Sequence, residues 1–154
     1  MNVLDIIRET SARETTRFSF ELLPPLKGDG TRSVFTTIEA LREFDPAFIN
    51  VTFHREALKE DIRPDGSREW HIMRRRPGTV AIAAAIQNKF GVPVIPHIIC
   101  SGATADAIEY ELIDLQFLGI ENVLLLRGDK ARDDSQFVPT PGGHAHTTDL
   151  IEQV

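Results

Sequence analysis

Two carboxylates in this sequence stand where strands should end. Glu21 lies near the close of an alternating run, residues 17–23, with Phe18, Phe20 and Leu22 on one face and Arg17, Ser19 and Glu21 on the other. Leu22-Leu23-Pro24-Pro25 follows at once, and proline, which lacks the ladder's N–H, must stop the strand. A carboxyl at the end of a parallel strand with apolar neighbours suits proton donation. Poor solvation raises its pKa and keeps it partly protonated. The competing structural role is an ion pair with Arg17 on the same strand face.

Asp129 ends the segment Leu126-Arg127-Gly128-Asp129, which closes another apolar run. Glycine lets the backbone approach a ligand. Arg127 can grip a phosphate with a forked contact, and Asp129 adds negative charge. A plain polar turn accounts for the same residues. The tripeptide Arg127-Gly128-Asp129 is also similar to integrin-binding loops, so an interaction module presenting this loop stays open as an alternative.

The remaining candidates are weaker. His97, in Ile95-Pro96-His97-Ile98, reads as a core histidine or, being close to a strand end, a ligand contact. Cys100 reads as a small buried hydrophobe. As a single thiol it forms neither an internal disulfide nor a zinc cluster, which fits a reducing compartment. His144 and His146 stand two apart in a Gly-rich loop with no thiol or carboxylate at ligand spacing, so no metal site is expected. Arg74-Arg75-Arg76 reads as a solvated face or an anion contact. No GxGxxG or phosphate-loop pattern follows any strand.

The elements that must position these residues alternate between short apolar runs and helix-like runs. Residues 5–16 are a polar, helix-compatible lead-in, and 17–23 the first strand. Val34, Phe35, Ile38 and Leu41 give helical spacing to 31–43, and 48–53 is a second alternating strand ending near Thr52. The charged stretch 54–76, with Pro64-Asp65-Gly66 as a turn signal, reads as a long loop or small excursion. A second helix spans 77–90 with Pro77 in its first turn, and 92–99 is a third, almost wholly apolar strand. Thr104 is the expected N-cap of a helix to residue 118 that Gly119 stops, and 122–126 is a fourth strand. A loop over 127–143 leads to a helix opening at Thr147.

Composition sets the bounds. With 154 residues and 42% hydrophobic content the chain can bury the core of one domain. A net charge of −6 argues against a nucleic-acid binder, whose affinity needs clustered Lys and Arg. The opening Met1-Asn2-Val3-Leu4-Asp5 has no basic n-region before an apolar stretch, so no signal peptide is expected. No apolar run approaches the roughly 20 residues that span a bilayer. The expectation is a cytoplasmic protein with neither membrane nor nucleic acid as partner.

Strand–helix repeats with apolar strands mean an α/β protein with a parallel sheet. Four or five strands would nearly complete a doubly wound sheet, whereas a (β/α)8 barrel takes about 250 residues. The polar rows ending at Glu21 and Thr52 favour the barrel. Helices on both faces would bury Arg17, Ser19 and Glu21 together, while a lumen opening to a polar mouth accepts them.

An ordered set of segments resembles one family. Phe18-Ser19-Phe20-Glu21-Leu22-Leu23-Pro24-Pro25 resembles the Phe-Glu-Phe-Phe-Pro-Pro segment that opens the barrel of methylenetetrahydrofolate reductases. Val51-Thr52-Phe53 is similar to their Val-Thr-Tyr second strand, and Pro96-His97-Ile98-Ile99-Cys100 to their Pro-His-Leu-Thr-Cys third strand. Leu126-Arg127-Gly128-Asp129 matches the end of their fourth strand, and Thr148-Asp149-Leu150-Ile151 resembles the helix opening after it.

The resemblance implies a (β/α)8 TIM barrel of which residues 1–154 supply about the first four βα units, one incomplete domain. It implies FAD at the carboxyl ends of the strands and NAD(P)H as hydride donor. Methylenetetrahydrofolate would be the substrate, in one-carbon metabolism, and the assembly a homo-oligomer. Glu21 falls on the general acid that opens the folate's five-membered ring, and Asp129 on the carboxylate near flavin and pterin. Thr52, His97, Leu126, Arg127 and Gly128 fall on flavin contacts. The family's usual loop tyrosine before the fourth helix is replaced here by His146. The excursion 54–76 is longer than in the shortest members, and an inactive half-barrel is the alternative within the same fold.

Overall fold

The computed structural model describes residues 2–54, 57–130 and 135–154. In chain order its elements are helix α1 (Val3–Ala12), strand β1 (Ser19–Leu22), helix α2 (Thr31–Leu41) and strand β2 (Phe48–Val51). Strands β3 (Ala57–Ile62) and β4 (Arg68–Met73), helix α3 (Thr79–Phe90) and strand β5 (Val94–Ile99) follow. Helix α4 (Ala105–Phe117), strand β6 (Leu124–Leu126) and helix α5 (Thr147–Gln153) complete the described chain.

Alternation shapes the strands as expected. In β1, Leu22 is buried and Phe20 half-buried, while Ser19 and Glu21 face water. In β2, Ile49 and Val51 are buried and Phe48 and Asn50 only half so. β1, β2, β5 and β6 form one four-stranded sheet in that order, every neighbouring pair parallel. The strand order never reverses, whereas a doubly wound sheet reverses at its switch point. Crossovers between parallel strands are right-handed, so an unreversed order sends successive helices to one face. Accordingly α3 packs against both α2 and α4 as well as against β2 and β5.

The core lies between that helix layer and the sheet. Ile38 of α2, Ile49 of β2, Ile86 of α3, Ile98 of β5, Ile108 and Leu115 of α4 and Leu150 of α5 are all essentially sealed from water. These are the helical and strand stripes visible in the sequence. The opposite face of the sheet carries Ser19, Glu21, Phe48, Asn50, Ile95, His97, Leu124 and Leu126, by register with one another. Leu124 and Leu126 remain 39% and 38% exposed there.

Helix ends follow capping chemistry. The Thr104 hydroxyl accepts from Ala107 N at 3.2 Å, which starts α4. Gly119, at φ 67°, ends it by donating to Gln116 O. Asn2 caps α1 by accepting from Leu4 N at 2.8 Å, and Val3 N donates to Asn122 Oδ1 across the bottom of the sheet.

One expectation needs correction. Pro77 is not in the first turn of α3. Gly78 is the N-cap and the helix begins at Thr79, whose hydroxyl donates to His97 O and docks that turn on β5. Of the long loop or small excursion expected over 54–76, the structure has the excursion: a β-hairpin in which β3 and β4 pair antiparallel from Ala57↔Met73 to Ile62↔Arg68. The turn signal was right, because Asp65 Oδ1 accepts from both Ser67 N and Ser67 Oγ, and Gly66 takes φ 83°. The charge density that suggested a solvated loop is largely ion pairing along the hairpin: Arg68–Glu60 at 2.9 Å and Arg63–Glu69 at 2.6 Å. The hairpin returns at Arg76, which donates to Pro24 O, and at Arg75, whose carbonyl accepts from Lys27 N. Of the loop expected over 127–143, residues 131–134 lie outside the described residues.

Candidate functional site

Parallel strands bring their carboxyl ends to a single edge of the sheet, and that edge holds a cleft of about 870 Å³. Leu126, Arg127, Gly128 and Asp129 form one side, and His146, Thr147 and Thr148 another. Phe53, His54 and Ile99 supply the rest of the lining. Five of the residues singled out in the sequence therefore meet here: Leu126, Arg127, Gly128, Asp129 and His146.

Backbone bonds continue past the ends of β5 and β6 and fix this wall. Cys100 N donates to Leu126 O and Ser101 N to Arg127 O, both at 3.0 Å. The buried Ser101 hydroxyl then donates to Asp129 O at 2.9 Å. Gly128 sits at φ 79°, and a Cβ on it would lie 2.8 Å from Ser101 Cβ. Only glycine fits this crossing without displacing the strand below it. The Arg127 guanidinium lies 4.8 Å from the Phe137 ring, and Asp129 is exposed. His146 takes its place through its backbone: its N–H donates to Asp149 Oδ2 at 3.0 Å and its carbonyl accepts from Cys100 Sγ. Burial pushes the Cys100 thiol up from its ordinary value, which agrees with its reading as a hydrophobe.

Thr52 stands at the end of β2, its N–H and hydroxyl both given to Leu22 O. It borders a neighbouring cleft of about 410 Å³ that shares Phe53 and His54 with the larger one. The run Arg74-Arg75-Arg76 lines this second cleft, so it is placed near the mouth of the sheet.

Glu21 and His97 come together on the open face, Glu21 Oε2 4.0 Å from His97 Nε2. The shielding expected for Glu21 is absent. Its flanking Phe20 and Leu22 point to the helix side of the sheet, and its side chain is 62% exposed. The pairing with Arg17 is absent too: Arg17 instead binds Asp45, at 3.2 Å to Oδ2. His97 is buried, and burial holds its imidazole below the ordinary value against the opposing pull of the Glu21 carboxylate.

Sequence reasoning missed His54, Ile99 and Ser101 as parts of this site. The first two follow from the rule that carboxyl ends of parallel strands line the site. Ser101 left no such signal, because its role is to hold a backbone carbonyl. Among the described residues no group of three or more His, Cys, Asp or Glu side chains converges as a metal site. No described helix is long and apolar enough to cross a membrane.

The larger cleft combines apolar Phe53, Ile99 and Leu126 with cationic Arg127 and the Thr147 and Thr148 hydroxyls. That donor set suits a ligand carrying both a flat ring system and an anionic part. The class the fold defines is an α/β protein built on a parallel sheet, with a cleft at the carboxyl edge of its strands. The sequence matches the family model described as methylenetetrahydrofolate reductase over residues 6–154, and the chain belongs to that family. It is 29% identical to methylenetetrahydrofolate reductase (NADH) 1 of Arabidopsis thaliana over 154 residues, all of this chain and 23% of the relative. It is 26% identical over 148 residues to methylenetetrahydrofolate reductase 2 of Saccharomyces cerevisiae, covering 96% of this chain and 22% of that one. With 5,10-methylenetetrahydrofolate reductase of Escherichia coli it shares 26% over 111 residues, 72% of this chain and 32% of that one. The chain thus spans about a quarter of the length of the plant relatives it matches.

Proposed function

We propose that this chain forms the first half of a flavin-binding (β/α)8 barrel that reduces 5,10-methylenetetrahydrofolate to 5-methyltetrahydrofolate. The observation that carries the proposal is the cleft that Leu126, Arg127, Gly128 and Asp129 line at the carboxyl edge of an unreversed parallel sheet, with Glu21 and His97 paired on the open face of that same sheet, in a chain of this family. What supports the barrel reading is a sheet whose order never reverses, with helices on one face, as an arc of such a barrel would have.

FAD would lie against Leu126, Arg127, Gly128 and His146 with Thr52 and His97 close by, and would carry hydride from NADH or NADPH to the folate. Arg127 would hold an anionic part of the cofactor with its forked guanidinium. Gly128 would let the backbone come close. Asp129, exposed at the mouth, would set a negative charge beside the ring-opened folate iminium, which is cationic. Glu21 would give its proton to the folate nitrogen that leaves as the five-membered ring opens. Its exposure on the open face leaves that proton accessible to a substrate lying over the sheet.

The test separates the two half-reactions by stopped-flow in the flavin-loaded protein. Glu21→Gln should spare flavin reduction by the nicotinamide coenzyme and slow folate reduction by about 100-fold or more, the size of a general-acid contribution. Equal losses in both halves would show Glu21 to be structural.

A further inference from the structure

The imidazole of His97 sits 5% exposed on the open face of the sheet, and its Nε2 has no hydrogen-bond partner among the described residues. A buried polar atom without a partner is costly, and such atoms mark places where a contact is made in another state of the molecule. The register shows which contact. Val51 pairs with Pro96, so Thr52 stands beside His97, and Glu21 pairs with Asn50 one row lower. Glu21 is therefore diagonal to His97 across β2, and its side chain already brings Oε2 to 4.0 Å from the orphaned nitrogen. Nothing anchors the carboxylate at that distance, since its side chain is mostly in water. A turn of its outer torsions closes the gap to a hydrogen bond.

Among the described residues, the other groups that the register and hydrogen bonds place beside the ring are uncharged. Thr52 flanks it on β2 and Leu124 on β6, Ile95 and Ile99 precede and follow it on the same face of β5, and Thr79 of α3 binds its carbonyl. Glu21 is the charged group that acts on it among the described residues.

We propose that His97 is a positioning residue for Glu21: its Nε2–H donates to the Glu21 carboxylate and fixes it over the open face of the sheet. The proton given to substrate is Glu21's own, and the imidazole keeps its proton throughout. The carboxylate left behind finds a donor already in place, which favours its formation. The inference rests on the role proposed for Glu21 and goes beyond it by assigning the residue that aims it.

Two measurements decide it. The first needs no activity: NMR titration of the His97 imidazole in the unsubstituted 154-residue chain and in Glu21→Gln. The carboxylate holds a proton on His97, so its removal should lower the midpoint further; an unchanged midpoint overturns the pairing. The second is a double-mutant cycle on folate reduction. His97→Ala should slow that half-reaction by about tenfold, as expected for a lost hydrogen bond to a charged group. It should cost almost nothing more in a Glu21→Gln background. His97→Gln, which keeps an N–H at similar reach, should recover much of the loss. Additive losses, or no recovery, overturn the proposal. If folate reduction is absent from the unsubstituted protein, the proposed function falls while the titration still decides the pair.

Discussion

Carboxylates in this protein differ sharply in how water treats them. Asp129 is exposed at the cleft mouth, whereas Glu111 is half-buried on α4 with Asp114 nearby. Burial, reinforced by the Asp114 charge, raises the Glu111 pKa above its ordinary 4.5. A carboxyl whose pKa is higher folded than unfolded supports the fold below the unfolded value and loses that support as pH rises through the folded one. Glu111→Gln should therefore raise the melting temperature at pH 7, with the gain vanishing below about pH 4.5; calorimetry at both pH values checks this. On the proposed placement of FAD, Asp129→Asn should raise the reduction potential of the flavin, because one negative charge beside the ring would be gone. A spectroelectrochemical titration with no shift, or a downward one, would contradict its placement. Glu21 and Asp129 were legible in the sequence because prolines and a glycine mark where their strands stop. The meeting of Glu21 with His97 was not, since it joins residues two strands apart and depends on register.

Helices and strands were legible wherever one face is buried. Ile38, Ile49, Ile86 and Ile108 all fall on apolar stripes that periodicity alone picks out. The hairpin was hidden for the complementary reason. β3 and β4 pair with each other and not with the main sheet, so burial imposes little apolar alternation on them. Their order comes from cross-strand ion pairs and an Asp65 turn, which look like loop composition. Caps were readable because they use local chemistry. Thr104→Ala should remove the bond to Ala107 N and cost about 1 kcal/mol, measured as a lower urea midpoint with unchanged slope. An unchanged midpoint would mean that tertiary packing alone defines the start of α4.

At the scale of the whole molecule, β1 and β6 are the outer strands of the four-stranded sheet. Unpaired N–H and C=O groups along such edges invite another chain, and the exposed Leu124 and Leu126 add apolar surface beside one of them. On the proposed half-barrel reading, the 154-residue chain should sediment as a dimer or larger species and bind FAD weakly, with about half of a barrel's mouth to hold it. Two copies related by a twofold along the strand direction would place β6 of one beside β1 of the other, still parallel. A monodisperse monomer with stoichiometric FAD would instead favour a self-contained domain. Strand order, in which a barrel and a doubly wound sheet differ, is not written in periodicity; the polar rows ending at Glu21 and Thr52 were what leaned toward the barrel.

That strand order has a consequence for how the chain is made. After β1, each strand of the main sheet joins the edge left by the main-sheet strand made just before it. A chain leaving the ribosome can add its units one at a time, without holding a strand in reserve for a later partner. Contacts between successive units keep sequence separation short for a parallel sheet, which favours fast folding. Growth at one side leaves the other untouched: in a closing barrel, the strand synthesised first is the one that waits longest for its second neighbour.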